Sequence, residues 1–160
     1  MTSPQMVMYE EEYRQIQAVC EKLVRDTNAN VVFLVDKNGQ LIANAGAIQN
    51  LDTTSLASLT AGNIAATGGL AKLLGQREFT VLFHEGERDN LHITVIAQRV
   101  ILVVIFDAKA TLGLVRLRVK KASEEIAKIF EVLVKKMEAP GAKTPFSEIT
   151  DEDIANLFNE

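Results

Sequence analysis

The chain has 160 residues, of which 48% are hydrophobic and 24% are charged, as expected for one globular domain and not for a wholly disordered chain. Lysine and arginine number 17 against 21 acidic residues, and this net charge of −4 argues against a generic nucleic-acid binder that neutralises phosphates. The single cysteine and the lack of a signal-peptide pattern predict a cytoplasmic protein. The longest apolar run, residues 100–106, is too short for membrane insertion.

The first 50 residues predict one helix followed by a β-hairpin. Apolar residues recur at steps of three and four from Tyr9 to Leu23, which is typical of one buried helix face. The predicted apolar positions are Tyr9, Tyr13, Ile16, Cys20 and Leu23, and the residues predicted to face away are Glu10, Glu11, Glu12 and Arg14. Two β-prone runs, residues 31–35 and 40–43, flank Asn38 and Gly39, a pair that favours a hairpin turn because both residues tolerate positive φ.

A second helix is predicted from Asp52 to Leu74. Asp52 or Thr53 can cap its first turn, and Gly75 is placed to end it. The residues predicted to face the core are Leu56, Leu59, Ala66, Leu70 and Leu73.

Three strands and one long helix are predicted in the rest of the domain. Alternating apolar residues predict strands at residues 79–84 and 91–95, whereas residues 100–106 are apolar throughout and predict a central strand covered on both faces. Residues 112–137 fit a helical spacing of three and four better than a strand alternation. The order α-β-β-α-β-β-β-α predicts an α/β (α+β) sandwich, with a five-stranded, mostly antiparallel sheet and helices on both faces.

Charge and composition divide the chain into three parts. Residues 1–138 are predicted to form the folded domain, and residues 139–149 a linker that contains Pro140 and Gly141. Residues 150–160 are acidic and predict a short amphipathic helix, which is either a linear binding motif or a disordered tail with incidental hydrophobicity. The residues predicted to dock this tail on a partner are Phe146, Ile149, Ile154, Leu157 and Phe158.

Small residues recur at four-residue spacing along the second predicted helix. This small-residue ladder consists of Ala57, Ala61, Ala65 and Gly69, with Gly68 beside it. A glycine inside a helix costs roughly 1 kcal/mol relative to alanine, so a packing reason is expected. Because the leucines are predicted to supply the core face, we interpret the ladder as a surface for a partner or a second copy. Close packing on the protein's own sheet is the alternative.

A run of basic residues lies near the start of the last predicted helix. Arg116 and Lys120 share one helix face, with Arg118 and Lys121 nearby. A solvated helix face explains this run, and an electrostatic dock for an acidic partner is the alternative. Nothing in the sequence places Arg116 near a nucleotide.

Known catalytic motifs do not occur in the sequence. It contains no phosphate-binding glycine loop, no nucleophile elbow and no zinc-binding spacing. His84 and His92 lie on neighbouring predicted strands, but two histidines alone are weak grounds for a metal site. Cys20 lies at a predicted core position. We therefore predict a protein without a catalytic centre, metal or cofactor of its own.

Several segments resemble a known family. Residues 52–63 read DTTSLASLTAGN and residues 68–73 read GGLAKL, and the later segments FHEG (83–86), VIFD (104–107) and LGLVRL (112–117) strengthen the match. With the element order, these segments resemble the roadblock/dynein-light-chain family over essentially the whole chain. The tail is a feature that most roadblock domains lack.

The resemblance implies a dimer and a partner. Roadblock proteins form homodimers by pairing edge strands into a ten-stranded sheet, which makes residues 78–84, with Phe79, Val81 and Phe83, the implied dimer strand. The bacterial polarity proteins that this chain resembles present their paired second helices to a Ras-like small GTPase, one per homodimer. The implied GTPase-binding residues are Ala57, Ala61, Ala65, Gly68, Gly69, Lys72, Arg116 and Lys120.

The implied activity is that of a GTPase-activating protein that remodels the switch regions of the GTPase and inserts no arginine finger. GTP, GDP and Mg²⁺ then belong to the partner GTPase. The tail is implied to contact the GTPase elsewhere and to favour nucleotide exchange. A scaffold that binds the GTPase without changing its turnover is the alternative.

Overall fold

The computed structural model describes residues 9–138, in which three helices and five strands occur. In chain order they are α1 (Glu10–Thr27), β1 (Val31–Asp36), β2 (Leu41–Gly46), α2 (Thr53–Leu73), β3 (Val81–Glu85), β4 (Asn90–Ile96), β5 (Val100–Phe106) and α3 (Leu112–Glu138). This order confirms the predicted sequence of elements. The predicted linker and the tail residues Phe146, Ile149, Ile154, Leu157 and Phe158 lie outside the described residues.

Strand β5 lies in the middle of the sheet. The strand order is β2-β1-β5-β4-β3, and every neighbouring pair is antiparallel. On one side of β5, Ile105 pairs with Val31, and on the other side Val103 pairs with Ile93. The predicted central position is confirmed, because a strand that is apolar on both faces needs cover on both.

Helices cover the two faces of the sheet. On one face, α1 and α3 pack on a core that includes Val32, Leu34, Leu102 and Val104. On the other face, α2 packs on a core that includes Val31, Phe33, Ile101 and Val103. Successive side chains of a strand point to opposite faces, so β1 and β5 contribute to both cores.

None of the helices within residues 9–138 is long and apolar enough to cross a membrane.

The β1–β2 turn is held by the Asp36 side chain. Its Oδ1 accepts hydrogen bonds from the backbone N–H groups of Asn38 (2.9 Å) and Gln40 (3.0 Å). The predicted hairpin is confirmed, but of the Asn38 and Gly39 pair only Gly39 has a positive φ, +91°. A Cβ on Gly39 would lie 3.3 Å from the Ser58 Cα, so the turn packs directly against α2.

Helices α1 and α3 lie antiparallel and share a charged contact. Glu12 in the first turn of α1 pairs with Lys136 in the last turn of α3, and farther along Leu23 and Ala122 line one crevice. The prediction that Glu12 faces solvent and Tyr13 faces the core is wrong, because Glu12 is 4% exposed and Tyr13 is 43% exposed. Lys136, which is 124 residues away in sequence, supplies the countercharge that allows a carboxylate to lie in this interface.

Replacing Lys136 with methionine tests how much this ion pair contributes to stability. The hydrogen bond from Lys136 holds the pKa of the Glu12 carboxyl below its ordinary value of 4.5. A carboxyl with a lowered folded-state pKa stabilises the fold above its unfolded pKa, and this contribution is lost as the pH falls through the folded pKa. We expect Lys136→Met to lower the melting temperature by a few degrees at neutral pH. The gap to wild type should close as the pH falls below 4.5.

Thermal unfolding followed by circular dichroism over a series of pH values measures this gap. Lys135→Met is the matched control, because among residues 9–138 Lys135 pairs with Glu131 alone, on the exposed side of the same helix. A gap between Lys136→Met and wild type that is equally large at every pH would contradict the role assigned to the pair.

Candidate functional site

Helix α2 carries most of the residues that the sequence indicated as a contact surface. Asp52 caps its start by accepting a hydrogen bond from the Ser55 N–H at 3.0 Å, and Gly75 follows its end with a φ of +75°. The predicted start and stop signals are confirmed. The buried residues of α2 are Ala57, Thr60, Ile64 and Ala71.

The prediction that the leucines of α2 form its core face is wrong. Leu59, Leu70 and Leu73 are 72%, 57% and 85% exposed, and Leu56 alone of the predicted core leucines is partly buried. Apolar residues occur all around α2, so their spacing does not decide which side meets the sheet. The side with Ala57 packs on the strands because its small side chain allows close approach. Leu59, Leu70 and Leu73 consequently form an exposed leucine stripe.

The small-residue ladder begins in the core and ends at the surface. Ala57 is buried against the sheet, so close packing on the protein's own sheet is the correct interpretation for this residue. The rest of the ladder is more accessible, because Ala61 is half-buried and Ala65 and Gly69 are exposed, and Gly68 beside them is half-buried. These four residues line an open groove of ≈ 840 Å³ along one flank of α2.

Charged and polar residues from other parts of the chain complete the groove. Lys37 comes from the β1–β2 turn, Arg77 and Glu78 from the segment before β3, and Gln98 from the β4–β5 turn. Lys37 Nζ lies 2.9 Å from Glu78 Oε1 and ties the turn to that segment. Lys72 and Arg77 have no carboxylate within 4.0 Å among residues 9–138. Three cations against one carboxylate give the groove a positive potential.

The two glycines of the groove do not fill a tight space within this chain. A Cβ built on Gly68 or Gly69 would meet no atom within 4 Å, and neither residue has a positive φ. Alanine would therefore fit at both positions and would favour the helix. The glycines leave room for the backbone of another chain to approach α2.

Strand β3 is an edge of the sheet. The Val95 N–H donates to the Thr80 carbonyl at 2.8 Å, so alternate residues from Thr80 onward turn their backbone groups toward β4. Val81 and Phe83 therefore direct their backbone N–H and C=O groups away from the sheet. The Val81 side chain is 50% exposed, whereas the Phe83 ring stacks on Phe106 with 6.2 Å between the ring centroids.

The observed strand is shorter at its start than the predicted dimer strand. β3 begins at Val81 instead of residue 78, so Phe79 precedes it and is half-buried. Glu78 is engaged with Lys37 beside the groove, and the chain therefore follows the groove wall before it joins β4.

The basic residues of α3 lie on the other side of the sheet from the groove. α3 packs with α1 on the face that α2 does not cover. Arg116 and Lys120 are exposed there, on the helix that starts at Leu112. Within one chain, the structure brings together Ala61, Ala65, Gly68, Gly69 and Lys72, and separates Arg116 and Lys120 from them.

The two histidines do not form a pair. His84 lies opposite Leu91 and His92 lies opposite Phe83, so the two histidine side chains point to opposite faces of the sheet. Burial lowers the pKa of His92, and nearby Arg116 lowers it further. No group of three metal-binding side chains occurs among residues 9–138.

Cys20 is a core residue, as predicted. It is fully buried, and burial raises the pKa of its thiol to about 12, with a smaller effect of Glu21. The thiol is therefore protonated at neutral pH and is shielded from reagents.

No motif in the sequence indicates Lys37, Arg77, Glu78 or Gln98 as site residues. They belong to three separate connections, and no spacing rule relates such distant positions. The strand order brings these connections together: Asp36 pairs with Val100, which places the β1–β2 and β4–β5 turns at the same end of the sheet.

The comparisons with known proteins identify the class of protein. A sequence profile of the Roadblock/LC7 domain matches residues 15–106, which is more than half of the chain. This chain therefore belongs to the Roadblock/LC7 family. No curated protein sequence matches it.

Solved structures of MglB resemble this chain in fold and in sequence. Myxococcus xanthus MglB is 66% identical with a TM-score of 0.76, and the match covers 78% of this chain and 94% of that one. The gliding protein MglB from Thermus thermophilus is 39% identical with a TM-score of 0.72, covering 76% and 92%. A further structure, described as MglB with a tetrameric arrangement, is 37% identical with the same TM-score and coverage. The chain is thus an MglB-like roadblock protein.

Alanine substitutions at the groove glycines test whether the space beside them is open. We expect Gly68→Ala and Gly69→Ala each to raise the free energy of unfolding by roughly 0.5–1 kcal/mol. Alanine has a higher helix propensity than glycine, and its Cβ would displace no neighbouring atom at either position. Gly75→Ala is the control and should lower the free energy of unfolding by about 1 kcal/mol, since its φ is positive. Urea unfolding measures all three. A loss of stability at Gly68 or Gly69 would contradict the open groove.

Proposed function

We propose that this chain is a GTPase-activating protein for a Ras-like small GTPase of the MglA type, and that it controls cell polarity and gliding motility. The observation that carries the proposal is the open groove along α2, in a chain that is 66% identical to M. xanthus MglB. In this proposal the protein is cytoplasmic, is recruited to a cell pole and binds one GTPase per homodimer. GTP, GDP and Mg²⁺ are held by the GTPase.

The groove suits the surface of another protein. Its floor of small residues, including Ala65 and Gly69, allows close backbone approach. Its walls carry the cations Lys72 and Arg77, which have no ion-pair partner among residues 9–138. The exposed leucine stripe on the same helix adds apolar area that a partner would cover. A switch surface with both carboxylates and apolar side chains would complement these features.

The homodimer would form through β3. An edge strand with outward backbone groups is a template for pairing with another strand. Pairing of two copies through Val81 and Phe83 would join two five-stranded sheets into one sheet of ten strands. Both α2 helices would then lie on the same face of that sheet, which enlarges the surface offered to one GTPase.

Activation would act through the GTPase's own catalytic residues. Lys37 is tied to Glu78, whereas Lys72 and Arg77 are the groove cations that contact no carboxylate of the described part of the chain. In the proposed mechanism they hold a switch region in its hydrolysis-competent arrangement, and the GTPase supplies the groups that orient water and stabilise charge. The tail, residues 150–160, would contact the GTPase elsewhere and favour nucleotide exchange.

Proline at Val81 tests the dimer strand. It removes an outward backbone N–H while leaving the β3–β4 hydrogen bonds intact, and proline is tolerated at such edge positions. A net loss of about 1 kcal/mol per hydrogen bond in each copy should weaken the dimer at least tenfold. Analytical ultracentrifugation measures the dissociation constant, with Val81→Thr as the control that keeps the N–H. If Val81→Pro dimerises as tightly as wild type, β3 is not the dimer strand.

Arginine in the groove tests the activity. Ala65→Arg with Gly69→Arg fills the groove with two long cationic side chains, so it should abolish GTPase binding and stimulation of GTP hydrolysis. The matched control is Ala108→Arg in the exposed β5–α3 loop, at the opposite end of β5 from Gln98, and it should retain both. Single-turnover hydrolysis by the cognate GTPase, with the full chain and with residues 1–143, measures the effect.

The outcomes of this assay separate three possibilities. Normal stimulation by the groove variant would place the GTPase surface elsewhere, whereas binding without stimulation by wild type would favour the scaffold alternative.

Arg77→Ala tests the mechanism. We expect the stimulated rate of GTP hydrolysis to fall less than tenfold, because an arginine finger is worth about 10³–10⁵-fold. A loss of that size would show that this chain inserts a catalytic arginine.

A further inference from the structure

The outer side of α3 carries an exposed leucine among cations. Leu117 is 63% exposed, and Arg116, Lys120 and Lys121 are exposed around it. None of these three cations has a carboxylate within 4.0 Å among residues 9–138. Gly113, one turn before Leu117, is also exposed and has open space beside it. We call these five residues the α3 patch.

The sequence that follows α3 has a composition complementary to this patch. Residues 139–160 contain five acidic residues and one lysine. Three of the acidic residues are consecutive and are followed by three large apolar residues: Asp151, Glu152 and Asp153, then Ile154, Leu157 and Phe158. Carboxylates of this segment would meet the cations of the α3 patch, and its apolar residues would remove Leu117 from water.

The order of these groups fits a return along α3 in the opposite direction. From Glu138 backward, α3 presents Lys121 and Lys120 first and Leu117 about 5 Å later, at a rise of 1.5 Å per residue. From residue 151 forward, a helical tail presents its acidic triplet first and the centre of its apolar residues about 6 Å later. An antiparallel tail therefore places its carboxylates beside the lysines and its apolar residues beside Leu117 at the same time, whereas a parallel tail makes only one of these two contacts.

The connection between α3 and the tail is long enough for this return. Lys121 lies about 26 Å from Glu138 along the helix axis, at 1.5 Å per residue. Residues 139–150 span up to about 40 Å when extended. The extra length of the connection accommodates the reversal of direction and the lateral spacing of about 8–10 Å between packed helices. A second copy is not required to bring the tail to the patch.

We infer that residues 150–160 dock on the α3 patch of their own chain as an antiparallel helix. The acidic triplet contacts Lys120 and Lys121, and Ile154, Leu157 and Phe158 cover Leu117. The contact depends in part on exposed charges, so salt weakens it. This inference goes beyond the proposed function, because the contact forms without any GTPase.

Docking would also restrict what the tail and the patch can bind. A docked tail covers Arg116 and Lys120 and is itself withheld from other contacts. Under the proposed function, the tail would have to leave the patch before it contacts the GTPase. This consequence rests on the proposed function, whereas the docking itself does not.

Distance measurement on the full chain, without a GTPase, tests the docking. Spin labels at Glu124→Cys in α3 and Asn156→Cys in the tail report the distance by pulsed electron paramagnetic resonance. Cys20 is fully buried with a thiol pKa of about 12, so it stays unlabelled. Dilution of doubly labelled protein with excess unlabelled protein isolates distances within one chain. We expect a short, narrow distance population at low salt that decreases at about 1 M salt.

Charge variants identify the contact. Lys120→Glu with Lys121→Glu should replace the short population with a broad, long distribution, and adding Asp151→Lys with Asp153→Lys should restore it. The control, Arg88→Glu with Arg99→Glu, makes the same charge change in two exposed turns and should leave the short population intact. All the substituted residues of the domain are exposed, and circular dichroism confirms that each variant is folded.

Two results would overturn the inference. One is a broad distribution in the wild-type chain that equals that of the Lys120→Glu and Lys121→Glu variant. The other is a short distance that appears only when the two labels are on separate molecules, since the tail would then dock on a second copy. Neither result would bear on stimulation of GTP hydrolysis, so the failure of the docking and the failure of the proposed function are distinguishable.

Discussion

The architecture depends on one strand that has to be shielded from water on both faces. Six of the seven residues of β5 are buried, and Ile101 and Leu102 point into different cores. Full burial of one large aliphatic side chain contributes roughly 1.5–3 kcal/mol, so neither face of β5 can remain exposed in a stable fold. Helical layers are therefore required on both sides of the sheet. This requirement places α2 on one side and the α1–α3 pair on the other.

The two helical layers leave different surfaces exposed. α1 and α3 pack side by side, and each helix covers part of the other, including the carboxylate of Glu12. α2 lies alone on its face and can bury only one side against the sheet. Its apolar residues continue around the helix, so Leu59, Leu70 and Leu73 remain in contact with water. Exposed large apolar side chains grouped on one side of a helix are typical of a protein interface. The groove beside it is open for the same reason.

Sequence patterns predicted the elements, their order and the central strand, because these features depend on local spacing and on the uniformly apolar residues 100–106. They failed where distant residues decide the outcome. Local spacing predicted an exposed Glu12, because the residue that pairs with it, Lys136, is 124 positions away in sequence. The leucines of α2 were predicted to face the core, although a helix with apolar residues on every side has no pattern that shows which side is buried. The floor of the groove followed from the spacing of Ala61, Ala65 and Gly69, but its walls come from connections whose proximity depends on strand order.

Clusters of cations mark the two surfaces in a chain that has an excess of carboxylates. Elsewhere a cation often finds a carboxylate one turn away, as Arg14 does with Glu10 and Lys135 does with Glu131. Lys72 in the groove has no carboxylate one turn away, and Lys120 in the α3 patch has Glu124 one turn away but makes no contact within 4.0 Å with a carboxylate of the described residues. An exposed cation without a partner costs little in water, and it creates a local positive potential on an otherwise acidic molecule. Each surface thus combines that potential with exposed leucine side chains. Binding to such a surface depends on ionic strength because of the cations, and on the burial of apolar area because of the leucines. A segment that is both acidic and amphipathic therefore binds better than one that is only charged.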